Sequence, residues 1–155
     1  MQPDHWSLLL PTLRLLGYGG LIPFFALAIG GWGLADPLAR EICVSLLQAY
    51  GLSIISFVGA LSWGMALVAP QIENGLRKRL AYWSVTPSLV GFASFVFPTA
   101  ISCLILAATA LFALLVDLRN APRLGLPPAW QTLRWHLSLG AIAALILGSY
   151  AATRL

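Results

Sequence analysis

The stretch YGLSIISFVGALSWGMALVA runs from Tyr50 to Ala69 and contains no charged side chain. A helix that crosses a bilayer needs about 20 predominantly apolar residues, and this stretch is long enough. It also carries several serines and glycines. Because lipid gives helices no hydrophobic reason to associate, such small and hydroxyl-bearing residues are typical of helix–helix contacts. The stretch therefore predicts a membrane-spanning helix that packs closely against a neighbour.

The composition of the whole chain agrees with a membrane location. Hydrophobic residues make up 59% of the 155 residues and charged residues only 9%, with a mean hydropathy of +0.86. Soluble domains carry about 25% charged residues because their surfaces face water. We therefore expect one transmembrane domain over residues 1–155, in contact with the lipid bilayer. The net charge of +4 does not indicate nucleic-acid binding, because the basic residues lie in short loops beside apolar stretches. We therefore expect no nucleic-acid partner.

Uncharged stretches divide the chain into helices. The longest, from Leu80 to Val116, is too long for one crossing, and Pro98 near its middle cannot continue a helix. We therefore expect an all-α membrane protein, a bundle of five transmembrane helices. The expected spans are residues 13–35, 42–69, 80–97, 99–116 and 129–153.

Basic residues are unevenly distributed between the two sides of this expected bundle. The side of the N-terminus holds Arg14, Arg77, Lys78, Arg79, Arg119, Arg123 and Arg134, and the other side holds Arg40 and Arg154. Short loops rich in Lys and Arg stay in the cytoplasm. We therefore expect a multi-pass protein of the bacterial inner (cytoplasmic) membrane, with its N-terminus cytoplasmic and its C-terminus outside. The expected topology determinants, which would touch anionic lipid headgroups, are Arg77, Lys78, Arg79, Arg119 and Arg123.

The second helix carries a row of small residues. Steps of four and three place one set on a single face: Ala49, Ser53, Ser56, Ala60 and Trp63, flanked by Gly59 and Ser62. One interpretation is a contact surface on which a neighbouring helix packs. The other is an uncharged pocket that binds a ligand, lined by Ser56, Ser62, Trp63, Ser84 and Ser88.

The third helix offers a matching surface. Ser84 and Ser88 lie one turn apart and Pro87 lies between them. A proline inside a helix removes the hydrogen bond to the carbonyl four residues earlier, here that of Trp83. We expect the indole N–H of Trp63 or the hydroxyl of Ser62 to supply the missing donor, with Trp63 contacting the third helix near Pro87.

The sequence offers little that indicates catalysis. The uncharged stretches lack the intramembrane ionisable groups on which proton pumps and cation transporters depend. Asp117, with Arg119 close by, is typical of a solvated pair at a helix end, and His136 beside Trp135 is typical of an interfacial histidine. No metal-binding spacing or nucleophile motif is present. We therefore expect a protein that is not an enzyme and has no cofactor or metal.

The chain resembles a small family of membrane proteins of unknown function that includes transmembrane protein 69. The segment from Tyr50 to Leu67 resembles the family's motif region, and Leu16–Leu27 and Tyr82–Phe92 resemble its first and third helices. The matching positions are Tyr50, Gly51, Ser56, Phe57, Gly59, Trp63, Gly64, Pro87 and Ser88. The family often has a basic residue immediately before the tryptophan, whereas this chain has Ser62. The resemblance implies a fold and no established activity.

Two functions fit these observations. The first is an accessory or interaction subunit that packs against a larger inner-membrane complex, because short helices with many small-residue faces suit a membrane-protein partner. The second is a binding protein or transporter for an apolar ligand, such as a lipid, a pigment or a quinone-like molecule, in a pocket near Trp63. Cys43 and Cys103 could be free thiols, or a disulfide if the second and fourth helices are neighbours.

Overall fold

The computed structural model describes residues 5–69 and 72–155, and these residues form an all-helical bundle. The helices are α1 (His5–Gly33), α2 (Pro37–Val68), α3 (Asn74–Ala93), α4 (Thr99–Asn120) and α5 (Pro128–Ala152). A short 3-10 turn, Ser94–Val96, follows α3. The expected all-α class and the division of the long apolar stretch at Pro98 are confirmed.

Four of these helices have the length and composition needed to cross a membrane. They are Leu8–Gly33 within α1, Pro37–Val68, Thr99–Asn120 and Pro128–Ala152. Helix α3 is less apolar because it begins at Asn74 rather than at Leu80 and so includes Arg77, Lys78 and Arg79. The expected third span begins at residue 80 and leaves these charged residues in a loop, so the structure extends the helix by about one and a half turns.

Prolines mark the beginnings of three helices. Pro37 follows the N-cap residue of α2, Asp36, whose side chain accepts a hydrogen bond from the backbone N–H of Leu38 at 3.1 Å. Pro98 is the N-cap residue of α4, and α5 begins at Pro128. Proline suits the first turn of a helix because its missing N–H would have no intrahelical partner there.

Helix α2 occupies the centre of the bundle and packs against each of the other four helices. Two of its three glycines lie at close approaches to other helices. Gly51 contacts Leu106 of α4 and Leu145 of α5, and Gly59 lies against Ser84 and Pro87 of α3. Facing α1, Val44 of α2 lies against Gly31 of α1.

The contacts between helices define two ends of the bundle. At one end, Arg134 near the beginning of α5 pairs with Asp117 near the end of α4. At the other, the Ser149 hydroxyl of α5 donates to the carbonyl of Ala100 at the beginning of α4, at 2.8 Å. We call the first the basic end, because Arg79 and Arg123, two of the basic residues expected on the N-terminal side, lie there.

Candidate functional site

The buried face of α2 differs from the predicted one. The residues that α2 buries are Val44, Leu47, Gln48, Gly51, Ile55, Gly59, Ser62 and Ala66. The predicted row lies about a third of a turn away around the helix. Ser53 and Ala60 are exposed, Ser56 is half-buried, and Trp63 is 56% exposed. The prediction that this row packs against the rest of the bundle is wrong.

The reason is that α2 has small residues on two faces. The face that carries Gly51 and Gly59, which we call the glycine row, allows the closer contact. A Cβ atom built on Gly59 would lie only 2.5 Å from the backbone oxygen of Ser84. Alanine or serine at that position would hold α3 further away. The glycine row therefore faces α3 and α4, and the serine–alanine row faces outward.

Trp63 is 56% exposed, and within the described residues its indole N–H makes no hydrogen bond to α3. Ser84 and Pro87 are buried against Gly59, and Ser88 is half-buried. The Ser84 hydroxyl donates to the carbonyl of Ala81 at 2.7 Å. Within the described residues the Ser62 hydroxyl has no hydrogen-bond partner, so it does not serve the carbonyl of Trp83. Ser62 and Ser84, two residues of the predicted pocket, are both buried, and α2 packs against α3.

The predicted topology determinants separate into two groups. Arg77 is half-buried and its guanidinium donates to the backbone oxygens of Ala66 and Ala69, the latter at 2.9 Å. It caps the C-terminal end of α2, where unpaired carbonyls attract a cation. The other four are exposed: Lys78, Arg79, Arg119 and Arg123. Arg79 and Arg123 share a polar hollow with Glu73.

A larger cavity lies on another side of α2, between α1, α2, α4 and α5. We call it the lateral cleft, and its volume is about 490 Å³. Its walls are almost entirely apolar, and Leu16 and Phe57, which are 67% and 62% exposed, lie at its rim. The residues that line it include Leu13, Gly17, Gly20, Phe24, Ile54, Val58, Leu61, Met65, Ala110, Leu126, Leu137 and Leu145. Neither Trp63 nor Ser84 is among them.

A buried ion pair adjoins the lateral cleft at the basic end. The Nε and Nη2 atoms of Arg134, a lining residue, both donate to Oδ2 of Asp117, at 2.9 Å and 2.5 Å. Arg134 is 8% exposed and Asp117 is 5% exposed. The indole ring of Trp130, also a lining residue, lies with its centroid 5.9 Å from the guanidinium carbon.

The ion pair corrects two expectations. Asp117 is not a solvated partner of Arg119, and Arg134 is a buried charge within the expected fifth span. The physical reason is the antiparallel hairpin of α4 and α5, which places the end of α4 beside the beginning of α5. Both residues lie about one to two turns inside the helix ends that flank the connection. Two opposite charges at matching distances from a short helix–helix connection were the signal in the sequence that could have revealed the pair.

Other polar side chains are used to join helices. The Gln48 amide donates to the Ser102 hydroxyl at 2.7 Å, and Ser102 in turn contacts the Ser94 hydroxyl at 2.7 Å. The Tyr50 hydroxyl donates to the carbonyl of Gly20 at 2.9 Å. These bonds satisfy polar groups that would be costly to leave unpaired in an apolar interior.

The histidine and the cysteines also lie in structural contacts. His136 is exposed, and its Nδ1 atom lies 2.8 Å from the hydroxyl of Tyr18 on α1. Cys43 and Cys103 are free thiols, with Cys43 facing Gly30 of α1 and Cys103 buried in the core. The described part of the chain contains no group of three or more His, Cys, Asp or Glu residues that could hold a metal ion.

The fold and the lateral cleft define a class: all-helical bundle proteins whose helices are long and apolar enough for a membrane. Within that class the chain belongs to a family of unknown function. The family model that matches, over residues 10–150, is described as Protein of unknown function (DUF3429). A search of curated proteins and a search of solved structures each found no match.

Proposed function

We propose that this chain is a non-enzymatic integral membrane protein that binds an apolar molecule in the lateral cleft. The observation that carries the proposal is the cleft itself, an apolar cavity of about 490 Å³ between four helices. Small-molecule sites have volumes of roughly 300–1,000 Å³ and are lined mainly by apolar side chains with a few placed polar groups. The proposed ligand class is a lipid-like or quinone-like chain.

The position of the cleft supports this function. Its rim contains the exposed side chains of Leu16 and Phe57, which lie on helices that are long and apolar enough to span a membrane. A molecule dissolved in the bilayer could enter between α1 and α2 without crossing water. The ionisable side chain on the cleft wall, Arg134, is already paired with Asp117, and this favours binding over acid–base catalysis.

A substitution that fills the lateral cleft tests the proposal. Leu61 lines the cleft, whereas Leu67 lies on the same helix and is 68% exposed outside it. We expect the wild-type protein, purified in mild detergent, to carry a bound apolar molecule that native mass spectrometry detects. Leu61→Trp should reduce its occupancy at least about tenfold, since an indole would occupy the space, and the matched control Leu67→Trp should retain it. Equal occupancy in both variants would contradict the proposal.

A second candidate function is an accessory subunit that packs against a larger membrane complex. It is favoured by the outward-facing row on α2, where Ser53 and Ala60 are exposed beside the exposed Trp63. Small residues let another helix approach closely in lipid. In the same purification, a stoichiometric protein that is lost with Ala60→Leu and kept with Leu61→Trp would support this candidate. A cleft-bound molecule without such a protein would favour the first.

The membrane arrangement is part of the proposal. We propose that all five helices span a bacterial inner membrane, with the basic end in the cytoplasm. The support is the clustering of exposed Lys78, Arg79, Arg119 and Arg123 at one end, together with the packing of α3 along α2. A relationship to transmembrane protein 69 stays a prediction that rests on the motif around Trp63.

A further inference from the structure

The Arg134 guanidinium has hydrogen-bonding capacity that the ion pair does not use. A guanidinium carries five N–H donors. Nε and Nη2 both donate to Oδ2 of Asp117, and within the described residues Nη1 donates to no side chain or carbonyl. Because Arg134 lines the lateral cleft, the N–H groups of Nη1 are available to a bound molecule. Among the described residues the fully buried polar atoms without a partner are Arg40 Nε and Ser62 Oγ, so Nη1 of Arg134 is not enclosed and an acceptor on the ligand can reach it.

The charge of the pair selects the kind of acceptor. Arg134 and Asp117 together are neutral, and both are at least nine-tenths buried. A carboxylate or phosphate on the ligand would add an unbalanced negative charge beside the Asp117 carboxylate, in surroundings that stabilise charge poorly. A carbonyl oxygen would accept a hydrogen bond from Arg134 without that cost.

We propose that Arg134 recognises an uncharged carbonyl or ester oxygen at one end of an apolar chain bound in the lateral cleft. This inference rests on the proposed function and specifies its ligand class. Arg134 lies about 9 Å inside the first residue of α5, close to the basic end. From there the cleft continues past Ser138 and Ala141 to Leu145, a further distance of about 16 Å along α5. The polar end of the ligand would lie near the headgroup level and its chain towards the bundle centre.

Three spin-labelled probes test this preference. They are doxyl-labelled stearic acid, its methyl ester, and a doxyl-labelled hydrocarbon of similar length, compared at alkaline pH so that the acid is ionised. Bound doxyl groups quench nearby tryptophan fluorescence. The contribution of Trp130, which lines the cleft, is obtained by subtracting the quenching measured in Trp130→Phe. We expect saturable quenching in which the ester binds about tenfold more tightly than the hydrocarbon and more tightly than the acid.

The matched variant replaces both charges. Removing one member of a buried ion pair leaves a lone charge and destabilises a protein, whereas replacing both with apolar residues of similar volume is often neutral. In the double variant Asp117→Leu, Arg134→Met, the hydrocarbon should bind as before and the preference for the ester should disappear. In the native protein, the comparison of the ester with the acid and the hydrocarbon tests the same preference without any substitution.

The outcomes separate the two proposals. Saturable binding of all three probes with equal affinity, or tighter binding of the acid, would overturn the role of Arg134 and leave the apolar cleft standing. An ester preference that survives in the double variant would also overturn it. If no probe quenches Trp130 saturably, both the role of Arg134 and the proposed function are wrong.

Discussion

Gly59 sets the distance between α2 and α3. Its missing side chain lets the backbone of α3 approach, with the Ser84 oxygen 2.5 Å from where a Cβ would lie and the Pro87 ring at 3.3 Å. Close backbone approach is what associates helices in lipid, because dispersion contacts replace the hydrophobic effect there. One glycine therefore determines which side of α2 faces its neighbour.

A pair of glycine substitutions on α2 measures this effect. Gly59→Ala should lower the free energy of unfolding by about 1–3 kcal/mol, because its Cβ meets the backbone oxygen of Ser84 and the rigid ring of Pro87. Gly64→Ala should be neutral or slightly stabilising, since no atom lies within 4 Å of its Cβ position and alanine favours helix. Thermal unfolding in detergent, or steric trapping in bilayers, provides the comparison. Equal losses in the two variants would show that Gly59 does not set the distance between α2 and α3.

The same packing predicts a different outcome at Ala60, next to Gly59. Because Ala60 is exposed, leucine at this position should leave the stability of the isolated bundle nearly unchanged. Its neighbour Gly59 should not tolerate leucine.

At the scale of the helix, the C-terminal end of α2 is held by a residue of the next helix. Arg77 near the beginning of α3 donates to the backbone oxygens of Ala66 and Ala69. The last carbonyls of a helix have no intrahelical partners and carry a partial negative charge. The arginine therefore satisfies the end of α2 and joins it to the beginning of α3.

Two charge-removing substitutions distinguish capping from topology. Arg77→Ala should increase amide hydrogen exchange over residues 65–69 by about tenfold, corresponding to ~1.4 kcal/mol, because charged hydrogen bonds to α2 are lost. Lys78→Ala removes the same charge from an exposed neighbouring position and should leave that exchange unchanged. If Lys78→Ala accelerates the exchange equally, net charge rather than capping stabilises the end of α2.

At the scale of the whole molecule, the basic side chains lie at the two ends of the bundle. The exposed cations Arg79 and Arg123 share a hollow at the basic end, whereas Arg154 lies against the rings of Trp32 and Tyr150 at the opposite end. Between the ends, large apolar side chains such as Leu15, Phe92 and Leu104 are exposed. Such a surface suits a lipid environment and a fixed orientation within it.

Reporter fusions test the five-span arrangement. Alkaline phosphatase is active only outside the cytoplasm, so a fusion after Leu155 should be active and a fusion before Met1 inactive. An insertion after Gly125, in the α4–α5 connection at the basic end, provides an internal control that should be inactive. Activity of both terminal fusions, or of neither, would show an even number of spans. In that case α3, whose first turns carry Arg77 and Arg79, would be the helix that does not cross.

The helices themselves could be predicted from the sequence because their signals are local. Apolar stretches, the break at Pro98 and the beginning of the last helix at Pro127 and Pro128 each depend on neighbouring residues. Backbone hydrogen bonds within a helix connect residues four apart, so the sequence pattern suffices to find the helices, although it placed the beginning of α3 at Leu80 rather than at Asn74. The uneven distribution of charge along the chain is likewise a property of the sequence.

The rotation of each helix and the site between helices were decided by the tertiary structure. The sequence presents two rows of small residues on α2, and the choice of the row with Gly59 depends on how closely α3 can approach. The pair of Asp117 and Arg134 and the lateral cleft involve residues far apart in the chain, which meet because α4 and α5 run antiparallel. Helix period and composition do not encode such contacts, because they arise from the simultaneous packing of several helices around α2.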